Sequence, residues 1–457
     1  MTNNPSYEMT ADYISRVKAL CKKGATYLVM TFGCQQNEAD SEKIRGMCEA
    51  MGYSPAKEGD NCDMVIVNTC AIRAHAEMKA LSVIGNFKSQ KLSNPDMIVG
   101  VVGCMAAESE VAAKIKRSFR FVDFTAEPAS IHRIPELIYT AMTQRERSFI
   151  LGSESCEIVE DIPVVRQSTY RAWVSVMYGC NNFCSYCIVP YVRGRERSRD
   201  SAAIISECRE LIASGVKEIT LLGQNVNSYK SDINFAQLIT KIAELKGDFI
   251  LRFMTSHPKD TSDELIEAIR LSGGKIAPHF HLPLQSGSDT VLRRMNRTYS
   301  IERFMNIVDK LRESIPDIAI STDIIVGFPG ESEQDFEKTL LSLSKVRFDM
   351  VYAFIYSERA GTRSAGWEDD VPKNVKTERI ERLLKLQGEI SPERNERFIG
   401  EVQRVLVESF DESENTYVGR SPHNKQVRFT AEKAEIGKFI DVRIDSARIT
   451  CLVGTAK

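Results

Sequence analysis

Cys180, Cys184 and Cys187 stand on a C-x3-C-x2-C spacing within residues 178–187, which read Y-G-C-N-N-F-C-S-Y-C. Thiolates are soft ligands that hold iron–sulfur clusters, and a cluster ordinarily takes four of them. Three close cysteines with no local fourth leave one iron open to another ligand. Random placement of 12 cysteines in 457 residues would give this pattern only about 0.01 times per chain, so the spacing carries information. A zinc knuckle or a set of buried free thiols would use the same residues.

A second set of cysteines closes three apolar runs. T-Y-L-V-M-T-F-G-C ends at Cys34, M-V-I-V-N-T-C at Cys70 and M-I-V-G-V-V-G-C at Cys104. Short runs this rich in Val, Ile and Met predict fully buried parallel strands, and helical stretches over 37–51 and 74–90 complete a β-α-β-α-β pattern. Sites in an open parallel sheet form at the carboxyl ends of its strands. The pattern therefore predicts three thiolates on one sheet edge, although they lie 36 and 34 positions apart in sequence. A second cluster with an open iron is the expectation, against three thiols buried in a core.

The elements that must position these residues follow from length and periodicity. A chain of 457 residues exceeds one ordinary core and divides into two or three domains. With 43% hydrophobic and 27% charged residues it has the composition of a globular protein. A net charge of −2 neither invites nor excludes a polyanion, so any nucleic-acid contact must come from local patches. The start, M-T-N-N-P-S-Y-E-M-T, lacks the apolar segment of a signal peptide, and no run is long enough to span a bilayer. Twelve cysteines without secretion argue for metal ligation in a reducing cytoplasm. Zinc-protease, Walker and dinucleotide fingerprints are absent.

Residues 1–25 read as a loosely ordered lead-in, and 26–165 as the parallel α/β domain. Over 166–395, strands at 173–178, 218–222, 250–255, 279–284, 319–326 and 350–356 alternate with helices such as 202–214 and 301–313, which suits a partial (β/α)6 barrel. The polar and glycine-rich segments G-Q-N-V-N-S-Y, T-S-H-P, L-P-L-Q-S-G-S and G-F-P-G-E each follow one of these strands. Glycine lets a backbone approach a ligand, and Gln or Asn amides can fix one. Each segment alone is an ordinary turn; together they favour a site. His257, His279 and His281 match no metal spacing and read as hydrogen-bonded structural residues. Residues 396–457 carry short alternating strands that fit a small antiparallel barrel. Ten acidic and ten basic residues there cancel, though Arg404, Arg420, Lys425 and Arg428 are candidates for one basic face.

The C-x3-C-x2-C loop, with Phe183 and Tyr186 between its ligands, resembles the signature of radical S-adenosylmethionine (SAM) enzymes. The segments G-C-Q-Q-N-E-A-D-S-E, N-T-C-A-I-R-A-H-A-E-M-K and G-C-M-A resemble those of the methylthiotransferases, in the branch that makes 2-methylthio-N6-isopentenyladenosine in tRNA. The resemblance runs from about residue 26 to the end; one departure is Gln36, where the pattern G-C-Q-M-N has Met. It implies two 4Fe-4S clusters, one on Cys180, Cys184 and Cys187 and one on Cys34, Cys70 and Cys104. It implies SAM as radical source and methyl donor, in a pocket lined by Gly223, Gln224, Asn225, Gln285, Asp323 and Gly327. In P-Y-V-R-G-R-E-R-S-R, some of Arg193, Arg195, Arg197 and Arg199 become contacts to the substrate or a cluster site, since guanidinium groups grip phosphates and stack on bases; a solvated edge strand would look similar.

The same resemblance makes residues 396–457 a TRAM RNA-binding domain and the substrate the anticodon arm of a tRNA bearing isopentenyladenosine at position 37. A reductant such as flavodoxin or ferredoxin, a cytoplasmic location, no membrane and a monomer complete the expectation. The alternatives are the branch acting on N6-threonylcarbamoyladenosine, a third that modifies a ribosomal-protein aspartate, and a non-catalytic iron–sulfur protein that binds RNA or senses.

Overall fold

The computed structural model describes residues 5–57, 59–71, 74–152 and 157–457, without the side chains of 74–76. Ile72 and Arg73 of the N-T-C-A-I-R segment lie outside the described residues. The chain forms two compact units. One holds residues up to Gln167 with Tyr178–Asn181 and Cys187–Arg197; the other holds Ser168–Met177, Asn182–Tyr186 and Ser198–Lys457.

The first unit is a six-stranded parallel sheet. Its strands are β1 (Thr26–Thr31), β2 (Ser54–Pro55), β3 (Met64–Thr69), β4 (Ile98–Gly103), β5 (Phe124–Ala126) and β6 (Ser148–Ile150), in the order β2-β1-β3-β4-β5-β6. Every residue of β3 and β4 is buried, which is why they read as unbroken apolar runs. One layer of core gathers Ile44, Met47, Met64, Ile66 and Phe124; the other gathers Val65, Val67, Ile84, Val99 and Ile115.

The reading of residues 1–25 as a loose lead-in is corrected. Helix α1 (Pro5–Leu20) buries Val17 completely, sets Tyr13 against Tyr139 at 5.7 Å, and donates from Thr10 Oγ1 to the His132 carbonyl at 3.0 Å. Tyr13, Ile14 and Val17 form too thin an apolar stripe to announce a helix.

In the second unit, β7 (Arg171–Ser175) precedes the cysteine loop, which β8 (Met177–Tyr178) and β9 (Arg197–Ser198) flank in sequence. Then follow β10 (Glu218–Leu222), β11 (Ile250–Phe253), β12 (His279–His281), β13 (Ala319–Val326) and β14 (Met350–Ile355). They make two parallel triples, β11-β10-β7 and β12-β13-β14, alternating with helices as a six-stranded partial barrel requires. Strand β12 stops short of the expected residue 284, because Pro283 cannot donate to a ladder and Gln285 turns to φ +66°.

Helix Lys373–Glu396 leads to a closed barrel of β15 (Val402–Asp411), β16 (Thr416–Arg420), β17 (Gln426–Thr430), β18 (Phe439–Ala447) and β19 (Cys451–Ala456). It is antiparallel except where β17 and β19 pair in parallel to close it. Among the described residues no helix is long and apolar enough to cross a membrane.

Candidate metal centre and ligand pocket

In the first unit, β1, β3 and β4 are neighbours, with Thr31 opposite Asn68 and Thr69 opposite Gly103. Cys70 and Cys104 directly follow β3 and β4, and Cys34 precedes helix α2 (Gln35–Ala50). Cys70 and Cys104 are buried, whereas Cys34 is exposed. Two fully buried asparagines fix this edge. Asn37 Nδ2 donates to Asn68 Oδ1 at 3.1 Å and to the Thr69 carbonyl at 3.0 Å. Asn68 Nδ2 donates to the Asn37 carbonyl and to Ser41 Oγ, both at 2.9 Å. The Asn37 Oδ1 accepts from the Cys34 amide at 3.3 Å. Glycine is required beside them: a Cβ on Gly33 would lie 2.3 Å from Asn37 Oδ1, and one on Gly103, at φ +96°, 2.4 Å from Asn68 Oδ1. The Gly, Asn and Cys of the motifs thus form one lattice.

Arg193 enters this edge with only 4% of its surface exposed. Its Nε donates to Cys104 Sγ and its Nη2 to Asp40 Oδ2, each at 3.1 Å. Burial pushes the Cys104 thiol up to about 12, Arg193 pulls it down, and Cys70 and Cys34 push it further up. Burial alone would lower the Arg193 pKa, but Cys104 and Asp40 outweigh it and hold the guanidinium charged. A buried cation aimed at sulfur suits an anionic, metal-bound thiolate, so these residues fit an iron–sulfur cluster. Among the described residues no three His, Cys, Asp or Glu side chains converge on one ion; thiolates of a 4Fe-4S cluster each take a different iron.

The cysteine loop is braced on each side. Cys180 donates its amide to the Gly194 carbonyl at 3.1 Å, and position 179 needs glycine both for its φ of +74° and because a Cβ there would sit 2.0 Å from the Arg195 carbonyl oxygen. In the second unit, Asn296 Nδ2 donates to the Asn182 and Phe183 carbonyls at 3.2 and 2.9 Å. The buried Arg297 places Nη1 3.6 Å from Cys184 Sγ and donates Nη2 to the Pro283 carbonyl at 2.9 Å. Sequence reasoning missed Arg297, a single arginine in M-N-R-T-Y with no spacing to mark it. Cys180 and Cys184 are buried and Cys187 half-buried.

The strand-end residues expected to line a pocket belong to the second unit. Gly223 follows β10, where a Cβ would meet Met177 Cγ at 2.5 Å. Gln224 is half-buried, and buried Asn225 donates Nδ2 to Asp260 Oδ2 at 2.7 Å. Gln285 exchanges backbone hydrogen bonds with β13, donating to the Asp323 carbonyl and accepting from the Ile325 amide. Asp323 lies half-exposed within β13, 3.4 Å from His281 Nε2. Gly327, at φ +69°, donates its amide to Glu331 Oε2 at 2.6 Å. His279 and His281 both bond Ser321 Oγ, at 3.0 and 2.9 Å, and His257 accepts the Lys259 amide, as structural histidines do.

The arginine row splits. Arg193 and Arg199 are buried, and Arg199 donates to the Ser175 carbonyl and Glu207; Arg195 is exposed and Arg197 half-buried. The single basic face expected of Arg404, Arg420, Lys425 and Arg428 is corrected. Arg404 pairs with Asp248, Arg420 with Glu408, Lys425 with Asp349 and Arg428 with Asp411. Evenly mixed charge lets each base find an acid, a pairing that a list of basic positions does not reveal.

Other contacts seat the C-terminal barrel on β7, β10 and β11. Arg171 bridges Glu218 and Glu408, and Arg252 bonds Glu218 and the carbonyls of Ser421 and Pro422.

Six parallel strands in two triples, with three cysteines on a loop after the first strand, define a radical SAM protein. The sequence model of the Radical SAM superfamily matches residues 174–343, that of Uncharacterized protein family UPF0004 residues 26–126, and that of the TRAM domain residues 396–457. The tRNA-2-methylthio-N(6)-dimethylallyladenosine synthase of Caldicellulosiruptor saccharolyticus is 47% identical over 94% of this chain and 92% of its own length. That of Acetivibrio thermocellus is 47% identical over 97% and 93%. The chain belongs to this family of tRNA methylthiotransferases. In fold alone it is similar to the radical SAM methyltransferase TsrM from Kitasatospora setae, with TM-score 0.52 and 12% identity over 72% of this chain and 73% of that one. Membership of the superfamily implies a 4Fe-4S cluster and SAM.

Proposed function

We propose that this chain adds a methylthio group to C2 of N6-isopentenyladenosine at position 37 of tRNA, using two 4Fe-4S clusters. Identity of 47% over 94% of the chain to a relative bearing that activity in its name supports the substrate. The observation that carries the sulfur chemistry is the set of Cys34, Cys70 and Cys104 at three adjoining strand ends, which a radical SAM enzyme with one cluster does not need. Bound, the clusters and SAM would supply a 5′-deoxyadenosyl radical able to open the unactivated C2–H bond and a methylated sulfur to replace it.

In this reading residues 26–165 carry the second cluster, 166–395 the SAM-binding core and 396–457 the RNA-binding module, behind an extension at 1–25. Cys180, Cys184 and Cys187 hold the SAM-binding cluster. Gly223, Gln224 and Asn225 border SAM beside β10, while Gln285, Asp323 and Gly327 border it from the ends of β12 and β13. Arg195 and Arg197 face the anticodon arm, and Arg193 and Arg199 serve the protein itself. A small electron carrier such as flavodoxin or ferredoxin reduces the monomeric enzyme in the cytoplasm.

Mass analysis of nucleosides and of SAM products tests this. Replacing Cys34, Cys70 and Cys104 with Ala should leave 5′-deoxyadenosine formation measurable and abolish methylthiolated nucleoside. Replacing Cys180, Cys184 and Cys187 should abolish both. Methylthio product near the parent rate from the first variant would overturn the sulfur-donating role of the second cluster.

A further inference from the structure

We infer that Gln36, Asp40 and Arg193 form a relay that sets the charge, and with it the reduction potential, at the Cys104 corner of the second cluster. The inference rests on the two-cluster reading above and assigns to three residues a role in tuning it.

Three observations converge. Arg193 is buried, so it is removed from any phosphate, and burying a guanidinium requires compensating acceptors. It has two within 3.1 Å, the Asp40 carboxylate and Cys104 Sγ. A neutral thiol is a weak acceptor and a thiolate a strong one, so the Nε contact is made for anionic sulfur. Asp40 is itself buried and accepts from Gln36 Nε2 at 3.1 Å. Gln36 is the position where this chain departs from the Met of the family pattern, and a methionine cannot donate that bond. The relay therefore includes a link that depends on Gln36 itself.

Its effect has a definite sign. A reduced cluster carries one more negative charge than an oxidised one, so an adjacent cation favours reduction and raises the potential. Asp40 opposes Arg193, and the Gln36 amide partly offsets Asp40. Sulfur transfer would draw on that preference: as a C–S bond formed on the substrate radical and an Fe–S bond broke, the odd electron would have to be taken up by the cluster. Arg193 is a positioning and tuning residue here; it touches no substrate.

The test is an EPR-monitored redox titration with iron counting, in full-length protein whose Cys180, Cys184 and Cys187 are Ala, so that only the second cluster reports. Arg193→Gln should move the midpoint negative with iron retained, Asp40→Asn should move it positive, and Gln36→Met should give a smaller negative shift. Arg193→Lys, which keeps the charge, should restore most of the parent value and covers the case in which Arg193→Gln loses iron. Unmoved midpoints in both Arg193→Gln and Asp40→Asn, with iron intact, would overturn the relay alone. A parent background that binds no iron would remove the second cluster, and the relay with it.

Discussion

Asn37 and Asn68 exchange hydrogen bonds across the sheet edge, Nδ2 of the first to Oδ1 of the second at 3.1 Å and Nδ2 of the second to the carbonyl of the first at 2.9 Å. Neither side chain reaches solvent. The pair holds the start of α2, which carries Cys34, to the end of β3, which carries Cys70, so removing one partner strands buried donors and acceptors. Asn68→Ala should cost about 1–3 kcal/mol in thermal or chemical unfolding. With the two clusters proposed above, it should also lower reconstituted iron from about eight toward about four per chain, leaving the Cys180 loop loaded. Full iron content would show that the asparagine lattice is dispensable for the site.

Asp349 gives an acid-side prediction. It is buried against Lys425, Arg394 and Arg397. Burial would raise its carboxyl, but Lys425, Arg397 and Arg394 hold it below the usual range. A depressed folded pKa means stability that is present above the ordinary Asp value near 4 and is lost as pH falls through the folded value. Asp349→Asn should lose stability at neutral pH, by roughly 3 kcal/mol for an uncompensated buried pair, and show a flatter acid limb in melts run from pH 7 downwards. An acid limb unchanged from the parent would count against the pair.

Glu331 works in the opposite sense. Burial pushes its carboxyl up to about 7 against the Gly327 amide and Arg379. A raised folded pKa gives stability that is fully present below about 4.5 and is lost as pH climbs through about 7. Glu331→Gln keeps an acceptor for the Gly327 amide and removes the titration. Its stability should vary little between pH 5 and 8, whereas the parent should lose up to about 3 kcal/mol over that span. Equal slopes for the two proteins would discard the assignment.

Arg195 is the most exposed of its row. If it meets the anticodon arm, Arg195→Ala should weaken tRNA binding and reduce the salt slope of log K by about 0.9, one released counterion. Deoxyadenosine release should persist. Filter binding at several salt concentrations reads this, and an unchanged slope would place the phosphate contacts elsewhere.

What the residues disclosed depended on how local the cause was. Strands β3 and β4 were legible because burial on both faces leaves a long apolar run, and the cysteines closing them followed with them. Helix α1 was hidden because Tyr13, Ile14 and Val17 make sense only against Tyr139, far along the chain. The short β2, β5 and β6 owe their strand form to neighbours. The arginine row looked uniform because partners decide its fate: Asp40 lies 153 positions before Arg193. Arg297 and Cys184, 113 positions apart, met for the same reason.

The Arg171 guanidinium at the head of the first barrel strand finds Glu408 only 237 positions later. During synthesis Arg171 can meet Glu218 once β10 has emerged, but its second acid arrives only with β15. Domains ordinarily close in order as they leave the ribosome, and this unit has its full set of ion pairs only once the C-terminal barrel has been made. A chain stopped just before β15 would leave Arg171 without Glu408, Arg252 without the Ser421 and Pro422 carbonyls, and Asp349 without Lys425. Truncation ahead of β15 should therefore leave this edge of the second unit with half-paired buried charges, open to proteolysis that the full-length chain resists.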